Sequence, residues 1–129
     1  MNKTQINPWT WQDALGFSQC LRVDGAGSLL FLAGQSAVSA EGALVGEGDF
    51  EAQARQVFEN MRTVLEQAGA DFGAVVKVVI YLTDIRHLGD YERIASDYLP
   101  HPKPVGTALG VSALAVPGML IEVDATAVV

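Results

Sequence analysis

Cysteine and histidine are scarce: Cys20 is the only thiol, and His87 and His101 are the only imidazoles among 129 residues. A lone thiol excludes an internal disulfide and agrees with a reducing compartment. One histidine lies at an expected helix start and the other in a proline-rich loop. Neither has a second His or Cys at metal-ligand spacing, so no metal site is expected. Basic residues are also few. Eight Lys and Arg stand against fifteen Asp and Glu, for a net charge of −7 and a pI near 4.6. With no basic run, nucleic acid and anionic membrane are poor partners. The opening MNKTQINPWTWQD lacks the apolar stretch of roughly 7–15 residues that a signal peptide needs. No apolar run elsewhere approaches the roughly 20 residues that span a bilayer. A soluble, cytoplasmic protein is the expectation.

Catalytic signatures are thin as well. Ser36 in G-Q-S-A-V and Ser112 in G-V-S-A-L each lack the second glycine of a nucleophile elbow, and read as ordinary strand or turn serines. The G-A-G-S at 25–28 lacks the third glycine and the following helical period of a phosphate loop, and reads as a turn. Cys20, in an apolar strand with no activating base nearby, reads as core packing. Nothing calls for a cofactor.

What the chain does have is hydrophobic residues, half of the total, patterned as a single α+β domain over 1–129. Residues 18–23 and 28–34 read as two strands joined by the turn D-G-A-G, a hairpin. Asp49 stands where an N-cap belongs. Phe50, Ala54, Val57, Phe58, Met61, Leu65 and Ala68 then recur near a 3.6 period until Gly69, a C-cap residue. VVKVVIYLTD, from Val75, is apolar on both faces apart from Lys77, as a central strand is. A second helix follows with Leu88, Tyr91, Ile94, Ala95 and Tyr98 as its buried stripe, stopped by Pro100, Pro102 and Pro104. Strands at about 105–113 and 119–128 complete the order ββαβαββ.

That order leaves a surface open. Two helices cover one face of the sheet, yet Val76, Val78, Ile80 and Leu82 and the alternating Val75, Val79 and Tyr81 make both faces apolar. Several hundred Å² of exposed apolar area would forgo on the order of 10 kcal/mol at about 25 cal/mol per Å². The chain is therefore expected to associate with itself through the helix-free face, Val78 included.

In MLIEVDATAV, from Met119, alternation puts Met119, Ile121, Val123 and Ala125 on one face and Leu120, Glu122, Asp124 and Thr126 on the other. Glu122 joins Gly34-Gln35 and Gly106-Thr107 as small or polar residues at strand ends. Backbone amides beside Gly34 and Thr107 suit a carboxylate, and Glu122 suits proton transfer or the positioning of water. Spacing alone favours the plainer reading of a turn glycine, a strand-end threonine and a solvated acid.

Across nearly the whole chain, A-L-G-F-S-Q from Ala14, F-L-A-G-Q from Phe31, A-R-Q-x-F-x-N from Ala54, V-V-K-V-x-I-Y-L-T-D, P-x-x-T-x-L-G-V-S-A-L from Pro104 and L-I-E-V-D-A-T-A from Leu120 resemble the Rid family, also written YjgF/YER057c/UK114. The resemblance implies a chorismate-mutase-like α+β subunit in a homotrimer. Its sheets line a central barrel, its helices face outward, and its ligand clefts lie between subunits. Active members hydrolyse enamines and imines such as 2-aminoacrylate to a keto acid and ammonia. Their arginine, in P-x-R-[ST], holds the substrate carboxylate with its planar fork.

Here that motif reads Pro104-Val105-Gly106-Thr107, so Gly106 replaces the arginine. The water-positioning glutamate matches Glu122, the backbone anion contact matches Gly34, and the aromatic at the cleft mouth matches Phe17, where the family has tyrosine. Either the ligand carries no carboxylate at that point, or Arg22, Arg93 or Lys103 takes over. Two functions follow: a Rid-like hydrolase for an altered imine or enamine, or a non-catalytic trimeric protein that binds or senses a small metabolite. The ribonuclease label sometimes attached to the family fits badly with the acidic charge.

Overall fold

The longest helix begins where Asp49 accepts a hydrogen bond from the Ala52 amide at 3.0 Å, and it runs over Phe50–Gln67 (α1). Ala68 closes it, and Gly69 follows with φ of 75°, the left-handed step that a helix C-terminus favours in glycine. Phe50, Ala54, Val57, Phe58, Met61 and Leu65 form its buried stripe, as the periodicity predicts. Gln53 is buried among them with every polar atom used. Its Nε2 donates to the carbonyls of Gly46 and Gly118, and its Oε1 accepts from the Leu120 amide.

The computed structural model describes residues 1–11 and 13–129. Its strands are Asn2–Ile6 (β1), Cys20–Asp24 (β2), Leu29–Ser36 (β3), Val75–Leu82 (β4), Val105–Gly110 (β5) and Ile121–Val128 (β6), and the second helix is Leu88–Ala95 (α2). Four strands make the main sheet in the order β3-β6-β4-β5. All its pairs are antiparallel except β4 with β5. The element order is the expected one preceded by a further strand, β1.

That extra strand changes a pairing. The strands on either side of D-G-A-G do not pair as a hairpin: β2 pairs with β1, from Asn2 opposite Asp24 to Ile6 opposite Cys20, while β3 pairs with β6. The turn at Gly25 hands the chain from one sheet to the other. Cys20 is exposed on this ribbon instead of packed in a core. The last two strands are shorter than their apolar runs, and α2 ends at Ala95. Tyr98 lies beyond the helix but still packs on the core, its ring 4.7 Å from that of Phe58.

Both helices lie on one face of the main sheet. Val78, Ile80 and Leu82 of β4 and Ile121, Val123, Ala125 and Ala127 of β6 are buried beneath them. Val78 therefore belongs to the core and not to the open face. A register shift between Val75 and Lys77 removes Val76 from the alternation and puts Val75 opposite Ala127. On the open face Leu29 and Phe31 are exposed, Phe31 at 79%.

Candidate functional site

Glu122 sits on the open face, opposite Tyr81 of β4 and Ser36 of β3. The Ser36 hydroxyl donates to Glu122 Oε1 at 3.1 Å. A bulge presents the neighbouring backbone: Leu32 pairs with Ala125 and Gln35 with Val123, so Ala33 and Gly34 together oppose Asp124. At Gly34 a Cβ would stand 2.8 Å from Glu122 Cδ and Oε1. Only glycine lets the carboxylate lie against that backbone without being pushed aside. Asn60 of α1 fixes the end of β3 from below, since its Nδ2 donates to the carbonyls of Ser36 and Val38 at 2.9 Å each. Gln56 Nε2 donates in turn to Asn60 Oδ1. The Q-x-F-x-N pattern thus orients a strand end as well as packing a helix.

Asp124, two residues along, accepts from the Tyr81 hydroxyl at 3.0 Å. This bond to an anionic acceptor raises the pKa of Tyr81 above its ordinary value. The polar side of the Met119–Val128 alternation thus resolves into two half-buried carboxylates, each held by a hydroxyl on an adjacent strand.

Gly106 lies on the other side of the sheet. In β5 it pairs with Val78 and Ala108 pairs with Ile80, both facing the helices, while Thr107 pairs with Val79 and shares the open face with Glu122. Gly106 lines a cavity of about 250 Å³ between the β4–β5 edge and α2, with Phe17, Val78, Ile80, Leu88 and Tyr91 among its walls. A Cβ at Gly106 would meet Val78 Cγ2 at 3.5 Å and Ile80 Cδ1 and the Val78 carbonyl oxygen at 3.9 Å, ordinary contact, so the fold has room for a side chain here.

Phe17 is brought to this cavity by the segment around Ser18. The Ser18 amide donates to the Pro104 carbonyl, its hydroxyl donates to the Lys103 carbonyl, and Gln5 Nε2 donates to the same hydroxyl. Strand β1, absent from the expected order, therefore helps to seat the cavity wall.

Of the five expected site residues, Phe17 and Gly106 share the cavity, while Gly34, Glu122 and Thr107 lie on the opposite face. No single chain joins them. Among the candidate cations, Arg22 is paired with Asp24 on the ribbon, and Arg93 Nη2 donates to Glu51 Oε1 at 2.7 Å. Lys103 alone of the three lines the cavity. Its Nζ donates to the Leu99 carbonyl, and partial burial lowers its pKa. Ser36, dismissed as a nucleophile, turns out to orient Glu122, and Tyr91 turns out to line the cavity. In sequence, only the pairing of Ser36 with Glu122 across β3 and β6 would have linked the first pair. Among the described residues no group of three or more His, Cys, Asp or Glu is placed to hold a metal ion, and no helix is long and apolar enough to cross a membrane.

The family model described as endoribonuclease L-PSP matches residues 12–129. A RutC family protein of Pyrococcus abyssi (strain GE5 / Orsay) is 36% identical over 111 residues, covering 86% of this chain and 84% of its own. Reactive Intermediate Deaminase A, chloroplastic, of Arabidopsis thaliana is 37% identical over 103 residues, covering 78% of this chain and 53% of its own. Among solved structures, YyfB of the conserved Rid protein family from Yersinia pestis superimposes with a TM-score of 0.83 at 35% identity over 100% of both chains.

Proposed function

The chain belongs to the endoribonuclease L-PSP family, the Rid or YjgF/YER057c/UK114 proteins of chorismate-mutase-like α+β fold, and on that footing we propose that it is a small-molecule hydrolase of imines or enamines. Its site is completed between copies of the chain in a homotrimer, where Glu122 of one copy meets the Gly106 cavity of the next. The observation that carries this reading is Glu122 itself, oriented by Ser36 against the glycine backbone at Gly34 instead of waving in solvent. A positioned carboxylate is what water activation needs.

Water bound at Glu122 gives a proton to the carboxylate while its oxygen forms a bond to the imine carbon and the C=N π pair moves to nitrogen. The proton then passes to that nitrogen. The carbinolamine hydroxyl then gives its proton to Glu122, which passes it to the amine as the C–N bond breaks, leaving a carbonyl compound, ammonia and the carboxylate restored. The open face supports assembly. Leu29, Phe31 and Leu109 are exposed there, and β5 is an edge strand with its outer backbone groups unpaired within the sheet.

Gly106 also supports a second reading, in which the trimer binds or senses a metabolite without turning it over. The arginine that holds the substrate carboxylate in active members is missing, and truncating such a charged contact costs about 2–5 kcal/mol of binding. The ribonuclease in the family's name is not carried over, because the excess of acidic over basic residues opposes a phosphate backbone. Ammonia release from a panel of imines generated in situ, compared between the wild type and Glu122→Gln, separates the readings. The hydrolase releases ammonia and loses most of its rate in the variant, whereas a binding protein releases none above the uncatalysed background.

A further inference from the structure

The Glu122 carboxylate is placed by two parts of β3, the backbone at Gly34 and the hydroxyl of Ser36, and Ser36 is the last residue of that strand. β3 is an edge strand, so β6 alone pairs with it. Past the bulge at Ala33 and Gly34, only Gln35 and Ser36 remain in register with β6 before the ladder stops. A stub this short frays unless something else holds it.

Beyond Ser36 the chain makes a three-residue turn, in which the Val38 amide donates to the Ser36 carbonyl at 2.9 Å around a fully buried Ala37. Asn60 clamps that turn. Its Nδ2 spends both hydrogens there, one on the carbonyl at each end, at 2.9 Å apiece. Gln56, one helical turn earlier on α1, donates to Asn60 Oδ1 at 2.8 Å. With its oxygen taken by Gln56, the amide presents its donors to β3.

We propose that Asn60, oriented by Gln56, is a positioning residue for Glu122: by holding both ends of the turn after β3 it sets where the Ser36 hydroxyl stands, and through it where the carboxylate points. This rests on the reading of Glu122 as the group that activates water. It gives α1 a part in that chemistry beyond packing against the sheet.

The test compares Asn60→Ala, Ser36→Ala and the double variant in the full-length chain. The first readout is the carbon-13 NMR signal of the Glu122 side-chain carboxyl at neutral pH, assigned by its loss in Glu122→Gln. Asn60→Ala should move this signal in the same direction as Ser36→Ala, and no further once Ser36 is already alanine. Leu65→Ala, which loosens the same helix by loss of buried packing alone, should leave it in place. The second readout is ammonia release from an imine, where kcat should fall about tenfold in Asn60→Ala with KM unchanged. The double variant should be no slower than Ser36→Ala. A carboxyl signal unmoved in Asn60→Ala, a shift in the double variant equal to the sum of the two single shifts, or a shift as large in Leu65→Ala would each overturn the assignment. A signal that moves as stated, with no ammonia released from any imine, would uphold the positioning and defeat the hydrolase reading alone.

Discussion

The two faces of the main sheet are made from the same strands and behave as opposites. Under the helices, Ile121, Val123 and Leu82 are fully buried, and Phe58 stacks on Tyr91 and Tyr98 and meets Phe72 edge-on. On the other side Phe31 and Leu29 stand in the open beside two hydroxyl-bound carboxylates. One face is finished by its own chain. The other is open in the single chain, and it carries the polar residues that the proposed site between subunits would use. Stability therefore belongs chiefly to the first face, and the proposed assembly and Glu122 chemistry would belong to the second.

The sharpest way to break this comparison is to truncate one aromatic on each face. Phe58→Ala should cost about 3–5 kcal/mol in denaturant unfolding, because it removes a buried ring and leaves a cavity. Phe31→Asp should leave a folded chain, with helical circular dichroism intact, but should shift the sedimentation coefficient to that of a monomer. Equal losses of folding in both would erase the distinction.

Next in size is Gln53→Leu, which leaves the Gly46 and Gly118 carbonyls and the Leu120 amide without partners on the helix side. It should cost about 1–3 kcal/mol by the same unfolding measurement. Tyr91 gives a pH signature on that side. Burial raises its pKa, so the folded chain keeps a proton that the unfolded chain gives up near the ordinary tyrosine value of 10.0. The stabilisation is complete below that pH and is lost as pH rises above it. Stability measured from pH 9 to 12 should fall more steeply in the wild type than in Tyr91→Phe.

The smallest effect on stability belongs to the open face. Gly34→Ala puts a methyl group against the flexible end of Glu122, and should change unfolding by less than about 1 kcal/mol. It should still displace the carboxylate from Ser36 and reduce any ammonia release.

The long elements were legible because their signals are local. Asp49, the 3.6 period and Gly69 bound α1, and the alternation through Met119–Thr126 sorted β6 correctly onto two faces. The D-G-A-G turn misled because a turn sequence says that the chain reverses, not which strand receives it. The strand Asn2–Ile6, too polar to stand out, was the actual partner of β2. Val78 was misplaced because alternation groups it with Ile80 and Leu82 but does not say which of the two faces the helices cover.

Of the candidate site, Glu122, Gly34 and Thr107 were legible as small or polar residues at strand ends, and the family resemblance added Phe17 and the loss of arginine at Gly106. Their division between opposite faces was not legible, because it depends on strand order and the parallel register of β4 with β5. Tyr91 read as plain helix stripe, and only the burial of its hydroxyl without a partner separates it from Ile94 beside it.

Closure of the open face by further copies of this chain is what would bring Glu122 and the Gly106 cavity together. Light scattering coupled to size exclusion at micromolar concentration measures that directly. The mass should be three times the 13.7 kDa of one chain, and it should fall to a single chain in Phe31→Asp. A stable wild-type monomer at that concentration would contradict the account, leaving Glu122 and the Gly106 cavity on opposite sides of a sheet with nothing to bring them together.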